Sequence, residues 1–578
     1  MSSREERAPG SDLGSSDGDR AGADEGPAIE IDPRAQSHEE LCREFRWRVP
    51  ARFNIGTAVC GRWAADRSRF ALYYEDRHGF TSAHSFWDIQ HDANRLANVL
   101  AALGTVRGDR VAVCLPPRPE AAIALVAIAQ MAAIAVPLSP WLVPELLERR
   151  LGDSGAHVAI VDETTMAALL EVRDRLPGLR HVLGAGAARG PGLRDWAEVL
   201  EHASPRYTAA DTAPADPAMI LYPEGLSGVL LGHRTLPGVL SGYLCAHDFG
   251  PHPGDLFWSP ADWASADGLW NGLLPTWHSG VPLLAYNGPF DPAKALALLQ
   301  RYAVRNWLID SSALRMVRES FPEPKAHFDL ELRTLVCTGE PAGEAIVRWA
   351  GEKLGVTISE TWGVSEFPCL AGSSPRRWSV SPGSLGRAYP GHRLAAVDGL
   401  GRVLPAGEIG QLAVNRRCNG ADDPALGLGY WNQPAEAGRH FVGDGWRVTG
   451  CLGTIDEQGN MFAHRPERDG PGAPERGVIQ CDVEERLRAH PAVAACAVMA
   501  CDERISDGGL KALVVVRSGI LPSPQLRGDL LGHLAGDHRT ACRLKAIEFV
   551  RQLPATVDGR TGERRQEASG DARARGAG

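Results

Sequence analysis

Lysine is scarce in this chain of 578 residues: Lys294, Lys325, Lys353, Lys511 and Lys545 are the whole complement among 61 basic side chains. No lysine precedes Lys294 and none follows Lys545, so no lysine ammonium is available to an anion held in either stretch. The twelve cysteines include no CxxC pair, which removes a zinc site and a disulfide framework and fits a reducing, cytoplasmic setting. Apart from a short arginine-rich end, no basic cluster interrupts the net charge of -10, and this argues against a nucleic-acid surface. The first 36 residues hold almost no large apolar side chain. They therefore read as a disordered tail and lack the apolar core of a signal peptide. One apolar run, Ala121 to Leu138, is long enough to consider as a membrane span, but it is alanine-rich, contains Gln130 and meets Pro137. A buried helix feeding a strand is expected there, with no membrane span.

What is present is ordinary for a globular protein of several domains: 44% hydrophobic and 23% charged residues. From Arg110 the chain alternates apolar strand-length runs (RVAVCLP, HVAIVD, RHVLGA, AMILY, VPLLAY, RNWLI, LRTLVCTG) with helix-length segments such as Asp291 to Tyr302 and Glu344 to Leu354. This pattern predicts an α/β fold with parallel-rich sheets packed by helices. Two motifs are set aside. The GDSG of Gly152 to Gly155 matches a protease signature but follows an amphipathic helix, where Gly and Ser end the helix. Gly184, Gly186 and Gly190 miss the dinucleotide spacing and read as a surface loop.

In the stretch Ile220 to Arg234, ILYPEGLSGVLLGHR, an apolar strand runs into a glycine-bearing loop and then a helix is expected. Such a loop can gather backbone N–H groups around a phosphate. A plain strand-to-helix turn is the other reading. Together with ETWGVSE (Glu360 to Glu366), GLGYWN, GWRVTGCLGTIDEQGN and LPATVDGRTGERR, the stretch resembles the AMP-forming acyl-CoA synthetases and their adenylate-forming relatives. RWRVPARFNIG, SPADWASADGLWNGLLPTWHSGVPLL and PGSLGRAYPGH look like the branch that activates acetate and medium-chain acids. The resemblance runs from about Arg46 to Arg565.

It implies a large adenylate-forming domain over residues 38–463 and a small α+β lid over 464–566, between disordered tails at 1–37 and 567–578. The ligands it implies are a small-molecule carboxylate, ATP, Mg2+ and CoA. By the same resemblance Gly225, Ser227 and Gly228 would cradle phosphate, and Gly339, Glu340, Pro341, Trp362 and Gly363 would line adenine. Ser365 would meet the α-phosphate and Glu366 would hold Mg2+. A helix-capping Glu and a core Trp are the plain alternative for ETWGVSE, as a helix-starting turn is for Thr338 to Pro341. Trp263, Gly268 and His233 fall on the acyl side, where aromatic residues serve equally well as core.

Departures from the family pattern cluster on nucleotide contacts. Pro223 and Glu224 replace Thr and Ser, Leu226 and Ser227 replace two threonines, and the segment that carries Pro, Lys and Gly is missing. Cys451 stands where relatives have the Asp that grips the ribose hydroxyls, and reads as an inert small residue or a reactive thiol. Arg560 stands for the catalytic Lys, Arg465 and Glu467 fall on the hinge pattern, and Arg476 on the lid's phosphate-binding Arg. Two functions follow: an impaired acyl-CoA synthetase, or a catalytically inactive pseudoenzyme that binds nucleotide, acyl-CoA or a protein partner.

Overall fold

The structure, a computed structural model, describes residues 28–35, 37–223, 227–378, 381, 383–433, 441–464, 487, 490–500, 510–517, 520, 522–534 and 544–550. Runs of consecutive apolar residues become central strands. Arg110–Cys114, Ile134–Pro137, Val158–Val161, His181–Gly184, Leu193–Asp195 and Pro217–Leu221 pair in parallel within an eight-stranded sheet, whose other edge is antiparallel through Val229–Gly232 and Gly429–Tyr430. In a nine-stranded sheet Phe70–Asp76, Leu283–Asn287, Phe257–Trp258, Asn306–Asp310, Thr334–Thr338 and Ile358–Val364 are parallel, with antiparallel strands added at both edges. Parallel strands buried on both faces need no polar alternation, which is why Ile134–Pro137 and Val158–Val161 are apolar and buried throughout.

The run Ala121 to Leu138 divides as expected into helix Pro119–Gln130 and strand Ile134–Pro137. Pro119 fits at the helix start, where its missing N–H has no intrahelical partner to lose. Every residue from Ala121 to Gln130 is buried, in one apolar core with Leu72 and Leu308 of one sheet and Val111 and Ile160 of the other. Burying side chains such as Ile123, Leu125 and Ile128 contributes about 1.5–3 kcal/mol each. No helix among the described residues is long and apolar enough to cross a membrane.

A third, antiparallel sheet holds Leu394–Val397, Gly410–Asn415, Trp446–Ile455, Phe441–Val442 and Met461–His464. Beyond residue 464 the described residues include strands Val493–Ala500, Leu510–Val516 and Leu544–Phe549 with helix Pro524–Leu534, a small α+β unit with its own apolar cluster. One boundary needs correction. Residues 28–35, assigned above to a disordered tail, include strand Ile29–Glu30, which pairs with Arg46–Trp47, and Ala28, Ile29 and Ala35 are buried. Three small apolar side chains and a two-residue strand were too short a signal against the polar tail before them.

Two core histidines make stability depend on acidity. The Ile55 N–H donates to Nδ1 of His233 at 3.1 Å, and burial pushes that imidazole down to about 4. Burial likewise pushes His247 down to about 3. The unfolded chain protonates both near the ordinary value of about 6.5. Their contribution is therefore full above about pH 6.5 and is lost as pH falls toward the depressed values, because the unfolded state then binds more protons. Denaturant midpoints should drop between about pH 7 and about pH 5, and His233→Gln, which keeps an acceptor for Ile55, should flatten that slope.

Candidate functional site

The glycine-bearing loop closes a hairpin. Leu221 pairs with Val229 in antiparallel register, and helix Thr235–Ala246 begins only after Arg234. The helix expected directly after the loop is thus a strand, because Val229 and Leu230 pair both with Ile220 and Leu221 and with Gly429 and Tyr430. Gly228 is required at its position: a Cβ there would lie 2.6 Å from Ile220 Cγ2. Ser227 Oγ accepts from Gln433 Nε2 at 3.3 Å, and the Gly228 carbonyl accepts from the Trp431 N–H at 2.7 Å. Gly225, with Glu224 and Leu226, lies outside the described residues.

The discarded GDSG motif braces this hairpin. Helix Pro144–Ser154 ends there with Gly155 in the left-handed region (φ 61°), and Ser154 Oγ donates back to the Leu151 carbonyl at 3.1 Å. Asp153 Oδ2 accepts from the Tyr222 hydroxyl at 2.6 Å, while its carbonyl accepts from Trp431 Nε1 at 3.1 Å and Asn432 Nδ2 at 2.8 Å. Burial, with the Asp153 bond adding, pushes the Tyr222 phenol far up, so it stays a donor. Tyr222→Phe should lower unfolding free energy by about 1.5–3 kcal/mol, the scale of a hydrogen bond to a charged group, as read by denaturant titration.

Ser365 and Glu366 form the two-residue turn between strands Ile358–Val364 and Phe367–Gly372, where Val364 pairs with Phe367. Just before it the ladder shifts register, and Gly363 packs so closely that a Cβ would run into the Cys369 amide and lie 2.9 Å from the Phe367 carbonyl. Glu366 Oε1 accepts from the Tyr430 hydroxyl at 2.6 Å, and the Glu366 carbonyl accepts from the Gly427 N–H at 2.9 Å. Arg447, buried over the Phe367 ring, donates from Nη1 to the Gly427 carbonyl at 2.9 Å, and its charge interacts favourably with Glu366. Segment 429–433 therefore joins the acidic turn to the glycine loop.

No group of three His, Cys, Asp or Glu side chains among the described residues could hold a metal. Glu366 Oε2 accepts no hydrogen bond among the described residues. One open carboxylate oxygen suits Mg2+, which keeps several waters and takes its other oxygens from phosphates.

At the turn expected to line adenine, Gly339 (φ 83°) follows strand Thr334–Thr338, and the turn through Glu340 and Pro341 is fastened by the Ala342 N–H, which donates to Glu360 Oε1 at 3.0 Å. Burial holds the Glu360 carboxyl above its ordinary range. Trp362 and Cys451, both half-buried, pack against the same cluster of Ala371, Leu385, Leu412 and Met461. Burial foremost, with the Glu366 charge adding to it, pushes the Cys451 thiol up. A protonated thiol is a poor nucleophile, which speaks against the reactive-thiol reading.

The tryptophans of the acyl segment divide unevenly. Trp258, Trp270 and Trp277 are fully buried in the core, and Trp258 stacks on Trp307 at 6.0 Å. Trp263 is buried as well, and Gly268 packs against the Asp262 carbonyl. His233 is committed to Ile55 through Nδ1. Arg465, Glu467, Arg476 and Arg560 lie outside the described residues. Sequence reasoning passed over Asp153, Arg447 and the hydroxyl of Tyr430. The available signals were an arginine inside the apolar strand WRVTG and the tyrosine of GLGYWN.

The AMP-binding enzyme family matches residues 62–431, and the AMP-binding enzyme C-terminal domain matches residues 482–560. The acetyl-coenzyme A synthetase of Bacillus subtilis (strain 168) is 27% identical over 562 residues, covering 92% of this chain and 95% of its own. A mitochondrial acyl-coenzyme A synthetase of Rattus norvegicus is 25% identical, covering 91% and 92%. Among solved structures, the Brucella canis acyl-CoA synthetase superposes with a TM-score of 0.67 at 25% identity, covering 87% of this chain and 92% of that one. An anthranilate CoA ligase in complex with anthranoyl-AMP shares the fold with a TM-score of 0.72 at 23% identity, covering 89% and 96%.

Proposed function

The chain belongs to the AMP-binding enzyme family, and from that membership we propose that it is an acyl-CoA synthetase-like ligase that activates a short- or medium-chain carboxylic acid, with adenylation slowed by its altered nucleotide contacts. The carboxylate would attack the α-phosphate of ATP to give acyl-adenylate and pyrophosphate, and the CoA thiol would then displace AMP. Neither step needs a covalent enzyme intermediate, so positioning and charge neutralisation are the protein's contribution. The observation that carries this reading is the Ser365–Glu366 turn, with one Glu366 oxygen held by Tyr430 and the other open.

In this reading Glu366 holds Mg2+, which would neutralise the phosphates. Ser365 offers its hydroxyl and Arg560 its charge to the α-phosphate, and Trp362 stacks on adenine beside Gly363 and the Gly339–Glu340–Pro341 turn. Ser227, Gly228 and Gly225 meet the outer phosphates. Cys451 faces the ribose as a weak partner, Trp263, Gly268 and His233 shape the acyl side, and Arg465 and Glu467 serve the lid hinge.

A second reading, a nucleotide-binding or regulatory pseudoenzyme, is favoured by one observation: Tyr430 and Arg447 already supply partners to Glu366 from the protein itself. Titration calorimetry of the full chain with Mg-ATP at millimolar concentration separates the two without knowledge of the acid. Binding, followed by AMP release with acids from a short- to medium-chain panel, supports the ligase. Binding with no AMP release from any acid supports the nucleotide-binding pseudoenzyme, and folded protein that binds no Mg-ATP supports the regulatory one and directs the search to protein partners.

A further inference from the structure

A cavity of about 780 Å3 opens on the antiparallel sheet at the ends of strands Leu394–Val397 and Gly410–Asn415. None of the residues assigned above to nucleotide, metal or acid lines it. Its walls include His392, Arg393, Asn415, Arg416 and Arg417, with the turn at Asp444 and Gly445. Two bonds brace the walls: the Arg416 N–H donates to the Gly445 carbonyl at 2.9 Å, and Asn415 Nδ2 donates to the Asp444 carbonyl at 3.0 Å.

The charges there are unevenly committed. Arg417 Nε pairs with Asp422 Oδ1 at 2.9 Å. Arg393 stands over the Trp446 ring at 5.0 Å, and neither Arg393 nor Arg416 forms an ion pair among the described residues. Beneath them, the side chain of His392 is fully buried. Its Nδ1 faces Asp423 Oδ2 at 2.7 Å, and Asp423 Oδ1 accepts from the Ala425 N–H at 2.9 Å, so the carboxylate accepts on both oxygens and Nδ1 is the donor. His392 Nε2 is buried with no hydrogen-bond partner.

We propose that this cavity binds a phosphomonoester-bearing small molecule at a site separate from the adenylation centre. Two exposed guanidinium groups without ion pairs suit an anion whose oxygens can meet both, as the three oxygens of a phosphomonoester can and the two of a single carboxylate do less well. The planar fork of arginine also matches phosphate oxygens in pairs. A cavity of this size lies within the range of small-molecule sites, about 300–1,000 Å3, so it holds more than a bare anion. Asp444, exposed at the rim, is the one carboxylate among the lining residues and leaves the cationic surplus in place.

The test is calorimetric titration of the full chain in magnesium-free buffer with inorganic phosphate as one probe and acetate as the other. Phosphate should bind and acetate should be weaker by about tenfold or more. The double variant Arg393→Gln/Arg416→Gln, which changes two exposed side chains, should weaken phosphate by about tenfold, while Glu366→Ala should leave phosphate binding unchanged. Loss of phosphate binding in Glu366→Ala, equal binding of acetate, unaltered affinity in the double variant, or no phosphate binding by the folded chain would each overturn the proposal.

Discussion

A chain in which an intact family loop is grafted between Tyr222 and Val229, with Cys451→Asp and Arg560→Lys, is expected to form acyl-adenylate about a thousandfold faster than the native chain. Three contributions act in that direction, and their full sum exceeds that figure. If Glu224 lies about 5 Å from a phosphate, the repulsion at an effective dielectric near 20 is about 3 kcal/mol per unit charge. An Asp at position 451 restores two charge-assisted bonds to ribose, about 1.5–3 kcal/mol each. A lysine ammonium at 560 makes the single-point contact that a guanidinium fork does not. The burial and the Glu366 charge that push the Cys451 thiol up will also act on the new carboxylate, so the gain should fall short of the full sum. Pyrophosphate release over a broad panel of acids is the readout. A folded but inactive graft would show that the defect lies elsewhere.

Glu366→Ala is expected to abolish Mg2+-dependent nucleotide binding and to cut residual adenylation by about 100-fold, the scale for removing one preorganised electrostatic contact. The substitution also strips the Tyr430 hydroxyl of its acceptor and removes the favourable charge beside buried Arg447. Tyr430→Phe is therefore the control: it deletes the same hydrogen bond while leaving the carboxylate, and should keep Mg-ATP affinity with a similar loss of stability. If both variants lose stability alike and neither changes nucleotide affinity, Glu366 serves only to fasten the hairpin and the pseudoenzyme reading stands.

Periodicity made the sheets legible because parallel strands and their covering helices are long and apolar. Ala121 to Leu138 divides into a helix and a strand as expected, the helix ending at Gln130, three residues before the expected Ala133. The acidic turn is a different case: ETWGVSE reads as a nucleotide motif or as a helix-capping Glu with a core Trp, and the structure places Ser365 and Glu366 at a two-residue hairpin turn, not at a helix start. Val229 to Gly232 misled because four residues carry too little pattern to separate a strand from the start of a helix; the pairing with Gly429 and Tyr430, two hundred positions away, decides it. Asp153 could not be found from sequence at all. Its role exists only where a helix end, a hairpin and the segment after Tyr430 meet in space.

Strand pairing and the Asp153 carboxylate hold Val229 and Tyr222 in place from outside the loop. Within the loop, Gly228, packed against Ile220, and Ser227, bonded to Gln433, stay answerable to the fold. A different sequence between Pro223 and Ser227 should then leave the frame folded, so that the chemistry of the loop can be rewritten on an unchanged foundation.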